Sequence, residues 1–364
     1  MTATRLSGIT FSENTTTIPA GNEDITDAPL FIIQTTTTLA TLDEEFVEFN
    51  QYSDLHSIIG SIEGLAMTRK VIKQTIDESN IGKFYVYSIK TDTKAAFTAA
   101  VKASAHLYDC ESIIYIEQSK STTSNTIANK VDGIKEGVRD NFAGGLFRQA
   151  YIVPYGTYLD AITDDNVVPA TAAVTCLTGI TNGISDGLVC VVTPDSMCGS
   201  LLGATLNTPF DEDIGKYTIV NVDTSAFIEY NDTQMLTLKN AGILFIRPEI
   251  YRGEKSYKPN VGVTLSYQTS QSDGKLIRRR IVNEVLRRIK EESRAFLLDK
   301  DIESVRSSLD STIGGVINEF VLNDCILRDG TKLSVTMDGD TFQVSGTIKP
   351  IDSVYAIDVA LTIQ

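Results

Sequence analysis

Apolar residues follow two periods along this chain. In the first half, short unbroken apolar runs at 30–33, 84–89, 112–116, 149–153 and 188–192 read as strands. The stretches between them have helical spacing: 62–78 (with Leu65, Val71, Ile72 and Ile76 on one side), 94–108, 126–142 and 170–180. Strands alternating with helices predict an α/β domain whose five-stranded sheet is covered by helices.

The pattern loosens after Pro194. Residues 201–209 read as a short helix or a loop, 217–222 as a strand, and 234–240 as a helix closed by Asn240-Ala-Gly242. Further strands are expected at 243–246 and 261–267. The longest helix is predicted over 275–298, with Ile277, Ile281, Val285, Ile289 and Phe296 as its apolar stripe. Glu284–Arg288, Arg287–Glu291 and Arg288–Glu292 stand at i,i+4 spacing on it. A second helix spans 304–322, weakened at Gly314-Gly315. Leu333, Val335 and Met337 then alternate with polar residues up to Asp338-Gly339, and Phe342, Val344 and Gly346 resume the alternation, which predicts a hairpin.

Both ends of the sequence are β-prone. Residues 1–24 read as an extended arm carrying Ile9, Phe11 and Ile18, with a disordered terminus as the plain alternative. Ile357, Val359, Leu361 and Ile363 alternate in a last strand, which pairs either within its own sheet or with a neighbour's sheet edge.

A length of 364 residues predicts two domains. The expected division is an arm at 1–24, an α/β domain at 25–208, an α+β domain at 209–354 and an arm strand at 355–364. No apolar run approaches the length of a membrane span, and the first 20 residues lack the apolar core of a signal peptide. Membrane insertion is therefore not expected.

The net charge of −15 argues against nucleic acid as a partner. Residues 1–210 hold 13 basic and 24 acidic side chains, whereas 275–294 hold 8 basic and 3 acidic. A basic helix in an acidic chain predicts a face for an acidic partner: Arg278, Arg279, Arg280, Arg287 and Arg288. The plain alternative is a solvated face balanced by glutamates.

Catalytic chemistry is not legible. Gly183-Ile-Ser185-Asp-Gly187 matches the G-x-S-x-G elbow but follows a helix and precedes a strand, the reverse of what that nucleophile needs. Gly215-Lys216 lacks the rest of a phosphate loop. Asp164-Asp165 and Asp211-Glu-Asp213 read as solvated loops. Cys110, Cys176, Cys190, Cys198 and Cys325 are scattered, and with only His56 and His106 available neither a zinc site nor a disulfide framework is expected. No catalytic residue, cofactor or metal is assigned.

Several stretches carry a resemblance. The passages 65–71 and 82–88 resemble the helix and following strand in the front half of the contractile tail sheath family of bacteriophages and related injection machines. Leu238-Lys-Asn-Ala-Gly-Ile-Leu-Phe-Ile-Arg247 is similar to the segment that opens that family's assembly domain. The arginine helix from Arg278 to Lys290 resembles the helix that follows it, and 346–357 resembles the family's close. Residues 251–270 depart from the family pattern. The resemblance implies an outer α/β domain inserted ahead of an inner C-terminal assembly domain, with N- and C-terminal β arms. It implies a structural subunit, not an enzyme. Such a subunit polymerises as stacked six-fold rings around an inner tail tube protein, with baseplate and tail terminator proteins as further partners. It assembles in the bacterial cytoplasm and belongs to a virion tail or contractile particle. Under this reading the terminal runs extend neighbours' sheets and the five arginines face the tube. A tube or terminator protein of such a machine, and an α/β enzyme or binding protein with no readable site, are the alternatives.

Overall fold

The strands at the centre of the fold are those whose apolar runs are unbroken, because parallel strands bury both faces. The structure is a computed structural model. It describes residues 4–6, 9–11, 27–35, 39, 42, 45–62, 64–79, 81–91, 93–118, 126–162, 166–293, 302–338 and 341–351.

β1 (Thr4–Leu6) and β2 (Ile9–Phe11) form a short antiparallel pair. The main body follows, with strands β3 (Leu30–Gln34) and β4 (Val47–Phe49), then helices α1 (Tyr52–Ile59) and α2 (Ala66–Ser79). Next come β5 (Phe84–Ile89), α3 (Lys94–Ala103), β6 (Ser112–Ile116), α4 (Ile127–Ala143) and β7 (Gln149–Val153). α5 (Tyr155–Ala161), α6 (Pro169–Thr181), β8 (Val189–Val192), α7 (Cys198–Asn207), α8 (Asp232–Asn240) and β9 (Ile243–Leu244) complete it. The strands make one seven-stranded sheet in the order β4-β5-β3-β6-β7-β8-β9, parallel except for β4. Two more strands join than the apolar runs predict. β9 lies beyond residue 208, so the sheet runs across the expected domain boundary.

Side chains alternate across the sheet, and each face builds its own core. Leu30, Ile32, Ile113 and Tyr115 pack with Phe97, Val131, Ile134 and Leu177 of α3, α4 and α6. Phe31, Ile33, Ile114 and Ile116 pack with Leu55, Val71, Ile72 and Leu201 of α1, α2 and α7. On each face one helix pair closes tightly over glycines. A Cβ at Gly137 of α4 would meet Val101 at 2.6 Å, and one at Gly203 of α7 would meet the Thr75 carbonyl at 2.7 Å. Helix starts follow local chemistry. Thr93 and Thr126 cap α3 and α4, and Asn231 with Gln234 makes a capping box on α8.

Two predicted strands take other forms. Residues 217–222 join no ladder and bend at Val220-Asn221, where the Glu78 carboxylate accepts the N–H groups of both residues, each at 2.8 Å. Val220 is left 76% exposed. Over 261–267 there is only a bridge at Val263, followed by a 3₁₀ turn at Leu265–Gln268. A hairpin absent from the prediction, β10 (Ile246–Tyr251) and β11 (Glu254–Pro259), follows β9 directly.

The chain ends in a third core. α9 (Leu276–Ser293) supplies Ile277, Ile281, Val285 and Ile289, and α10 (Ile302–Leu322) supplies Leu309, Ile313, Val316 and Phe320. α10 continues unbroken through Gly314-Gly315. The hairpin β12 (Lys332–Asp338) and β13 (Thr341–Thr347) lays Val335 and Val344 into the same core.

Candidate assembly interface

The surroundings of α9 account for its arginines. A parallel sheet gathers helix C-termini at the edge where its strands begin, and these present unpaired carbonyls and negative dipole ends. α9 lies on this edge. Arg280 donates to the carbonyl of Thr208, the C-cap of α7. Lys290 Nζ donates to the Gly145 carbonyl at 2.8 Å, just past the C-cap of α4. Arg287 pairs with Glu111, immediately before β6, at 2.9 Å and also with Glu284. The Asp27 carboxylate accepts the N–H groups of Glu111 and Ser112 at 2.8 and 3.1 Å. The Arg279 guanidinium lies 4.7 Å over the Phe142 ring.

Burial sets the electrostatics of this junction. It raises the Asp27 carboxyl and lifts that of Glu111 to about 8, against the pull of Arg287. It draws the Arg279 guanidinium down to about 10 and lowers that of Arg280. Burial also works against the charged form of Arg287, but Glu111, Glu284 and Asp27 outweigh it and the group ends raised.

The sequence reading expected these five arginines to form one face for an acidic partner. Arg279, Arg280 and Arg287 turn inward onto the sheet edge. Arg288, 38% exposed, pairs with Glu292 at 3.5 Å, and Arg278 lies 3.7 Å from Asp273. The inward partners stand 72 or more residues away in sequence, so helical spacing alone could not show them.

Of the terminal residues, Ile9 and Phe11 lie in β2. Ile18, Ile357, Val359, Leu361 and Ile363 lie outside the described residues. The last described residue, Ile351, donates its N–H to the Cys325 carbonyl at 2.9 Å, and Leu327 donates to the Lys349 carbonyl at 2.8 Å. The segment after β13 is thus tied to the turn that follows α10.

Hairpin β10–β11 is a surface that sequence reading missed. Ile250, near its tip, is 75% exposed. The hairpin's flank is joined to the Val220 segment by the Ile219 N–H, which donates to the Tyr257 carbonyl at 2.9 Å. The available signal was Arg252-Gly253, whose φ angles of 52° and 86° suit a tight hairpin turn.

The remaining motifs are engaged locally. Gly183–Gly187 is a turn between α6 and β8. In it Ser185 Oγ meets Thr269 Oγ1 at 2.8 Å, and Asp186 accepts from Arg139 at 2.6 Å. Asp213 accepts the Gly215 N–H at 2.8 Å. His56 packs on Tyr52 and His106 on Phe46. Among the described residues no cluster of His, Cys, Asp or Glu is placed to hold a metal, and no helix is long and apolar enough to cross a membrane.

The sequence matches no family model and no curated protein sequence. Solved structures do match over nearly full length. A chain of the anti-feeding prophage (AFP) helical sheath in its contracted state aligns with a TM-score of 0.63 at 10% identity, covering 96% of this chain and 99% of that one. A chain of the PVC sheath complex, an extracellular contractile injection system in the contracted state, gives 0.62 at 13% identity, covering 96% and 95%. The sheath tail protein from Desulfitobacterium hafniense gives 0.58 at 10% identity, covering 94% and 98%. This chain therefore has the mixed α/β fold of the contractile tail sheath proteins.

Proposed function

We propose that this chain is a structural subunit of a contractile sheath, polymerising as stacked six-fold rings around an inner tube that contraction drives through a cell envelope. The observation that carries this reading is end-to-end likeness to sheath chains, with neither chain leaving a large domain unmatched. A chain of the six-fold symmetrised AFP baseplate matches equally well, with a TM-score of 0.64. That supports an end of the polymer seated on baseplate proteins; in this reading a terminator closes the other end.

In this reading the third core is the inner assembly unit and the seven-stranded body is the outer one. The terminal segments 1–24 and 355–364 link subunits by adding strands to neighbours' sheets, which ties rings together without demanding particular side chains. β12–β13 is a two-stranded sheet of its own, and so it offers strand edges for such pairing. Contraction then needs no catalytic group. A gain on the order of a few kcal/mol per subunit, summed over many subunits, drives the change. Of the five arginines, Arg288, 38% exposed, is the one offered to the tube. The particle is a virion tail or a related injection device assembled in the bacterial cytoplasm.

Electron microscopy of the purified chain, alone and with its tube protein, tests the proposal. Wide hollow helical tubes are expected, and they should vanish when residues 1–24 or 355–364 are removed from a chain that still folds. A discrete small oligomer under every condition, or tubes that survive both deletions, would overturn it.

A further inference from the structure

β13 has β12 on one side, and β12 in turn lies against α10. Along the other side of β13 every second residue turns its N–H and C=O outward, as in any antiparallel strand. No ladder among the described residues uses that edge. Such an edge is a template for another strand.

The structure brings a strand to it, and that strand comes from the same chain. Cα atoms of β1 lie within 8 Å of β13, with no comparable approach to β12. Stacked sheets keep about 10 Å apart, so this approach puts β1 at the edge of β13 and not over its face. β2 pairs with β1 on the far side and reaches α4. β1 and β2 are therefore lodged between the hairpin of the third core and α4 of the main body. Yet among the described residues β1 and β13 belong to separate sheets, with no ladder joining them. The cap is also short. β1 has three residues, whereas the alternating run Ile357 to Ile363 spans seven in the sequence. A longer strand forms more ladder bonds on the same edge.

We propose that in the free subunit the chain's own β1, backed by β2, covers the β13 edge as a loosely held cap, which a strand from a second copy displaces when subunits link. The inference rests on the sheath reading above and adds a brake to it. Edge-to-edge association is suppressed until a growing end presents a competing strand, so polymerisation starts from a nucleus and not spontaneously.

The test uses the full chain below its polymerising concentration, a chain lacking residues 1–11, and a fluorescent peptide of residues 355–364 as the probe. A cap closed about nine-tenths of the time lowers apparent affinity about tenfold. The truncated chain should therefore bind the peptide about tenfold more tightly, and the β13 amides should exchange hydrogen faster in it. Arg5→Pro, which distorts the extended backbone of β1 in a full-length chain, should act in the same direction if truncation harms folding. Equal affinities with unchanged β13 exchange would overturn the cap. Faster β13 exchange on truncation, with peptide bound by neither chain, would uphold the cap and instead remove residues 355–364 as the competing strand in the sheath reading.

Discussion

Arg287 of α9 meets Glu111, the residue before β6, at 2.9 Å. This contact ties the third core to the N-terminal edge of the central sheet. Arg287→Met should leave Glu111 and Asp27 without their cation and cost about 2 kcal/mol, the scale of a hydrogen bond to a charged group. Urea denaturation measures it. Glu111→Gln, which keeps a carbonyl acceptor, should cost less. Equal losses would mean that packing, not charge, holds the junction.

Lys130 and Glu117 are both fully buried and 3.4 Å apart, with Gln34 Oε1 3.2 Å from the lysine. Lys130→Met strands a buried carboxylate, and the expected loss is about 3–5 kcal/mol. Adding Glu117→Gln should recover part of it. A double variant no better than the single one would show that the carboxylate is not the source of the loss.

Asp195 sets a pH dependence. Burial lifts its carboxyl from 3.8 to about 7, although Met197 N–H and Thr193 Oγ1 donate to it. Between those values the folded chain holds a proton that the unfolded chain has lost. Its contribution to stability therefore falls as pH rises from about 4 to about 7. Asp195→Asn should flatten this slope, gaining on the wild type by about 2 kcal/mol between pH 5 and pH 8 in denaturant titrations. Parallel profiles would refute the assignment.

The helix pairs give a packing test. A Cβ at Gly203 would stand 2.5 Å from Glu78 Cβ, so Gly203→Ala should cost about 2 kcal/mol as α2 and α7 are forced apart. Gly179 of α6 has nothing within 4 Å of such a Cβ, and Gly179→Ala should be neutral or stabilising by about 0.5 kcal/mol. Thermal unfolding of the two variants compares them directly.

Ile250→Glu should change folding stability by no more than about 0.5 kcal/mol, because the side chain is mostly exposed. If hairpin β10–β11 contacts another copy in the tube, the variant should lower the sedimentable fraction. An unchanged fraction would exclude the hairpin tip from the interface.

The central sheet was legible because β3, β5, β6, β7 and β8 are unbroken apolar runs, and the helices between them carry clear stripes and caps. β10–β11 was not, because Pro248 and the charged residues around it make no apolar run. The strand expected at 217–222 failed for a different reason. Its β-prone side chains are real, but Glu78, 142 residues away from Val220, takes the N–H groups that a ladder would have used.

Local periodicity and turn chemistry thus determined which segments become strands and helices, and the acidic composition with one basic helix. Tertiary structure alone decided where that helix faces. Arg279, Arg280 and Arg287 are directed by helix C-termini, an aromatic ring and partly buried carboxylates distant in sequence, and neighbours of that kind leave no trace in spacing along the chain. The approach of β1 to β13 is of the same kind, since neighbours separated by more than 300 residues are selected by the folded shape and not by any local pattern.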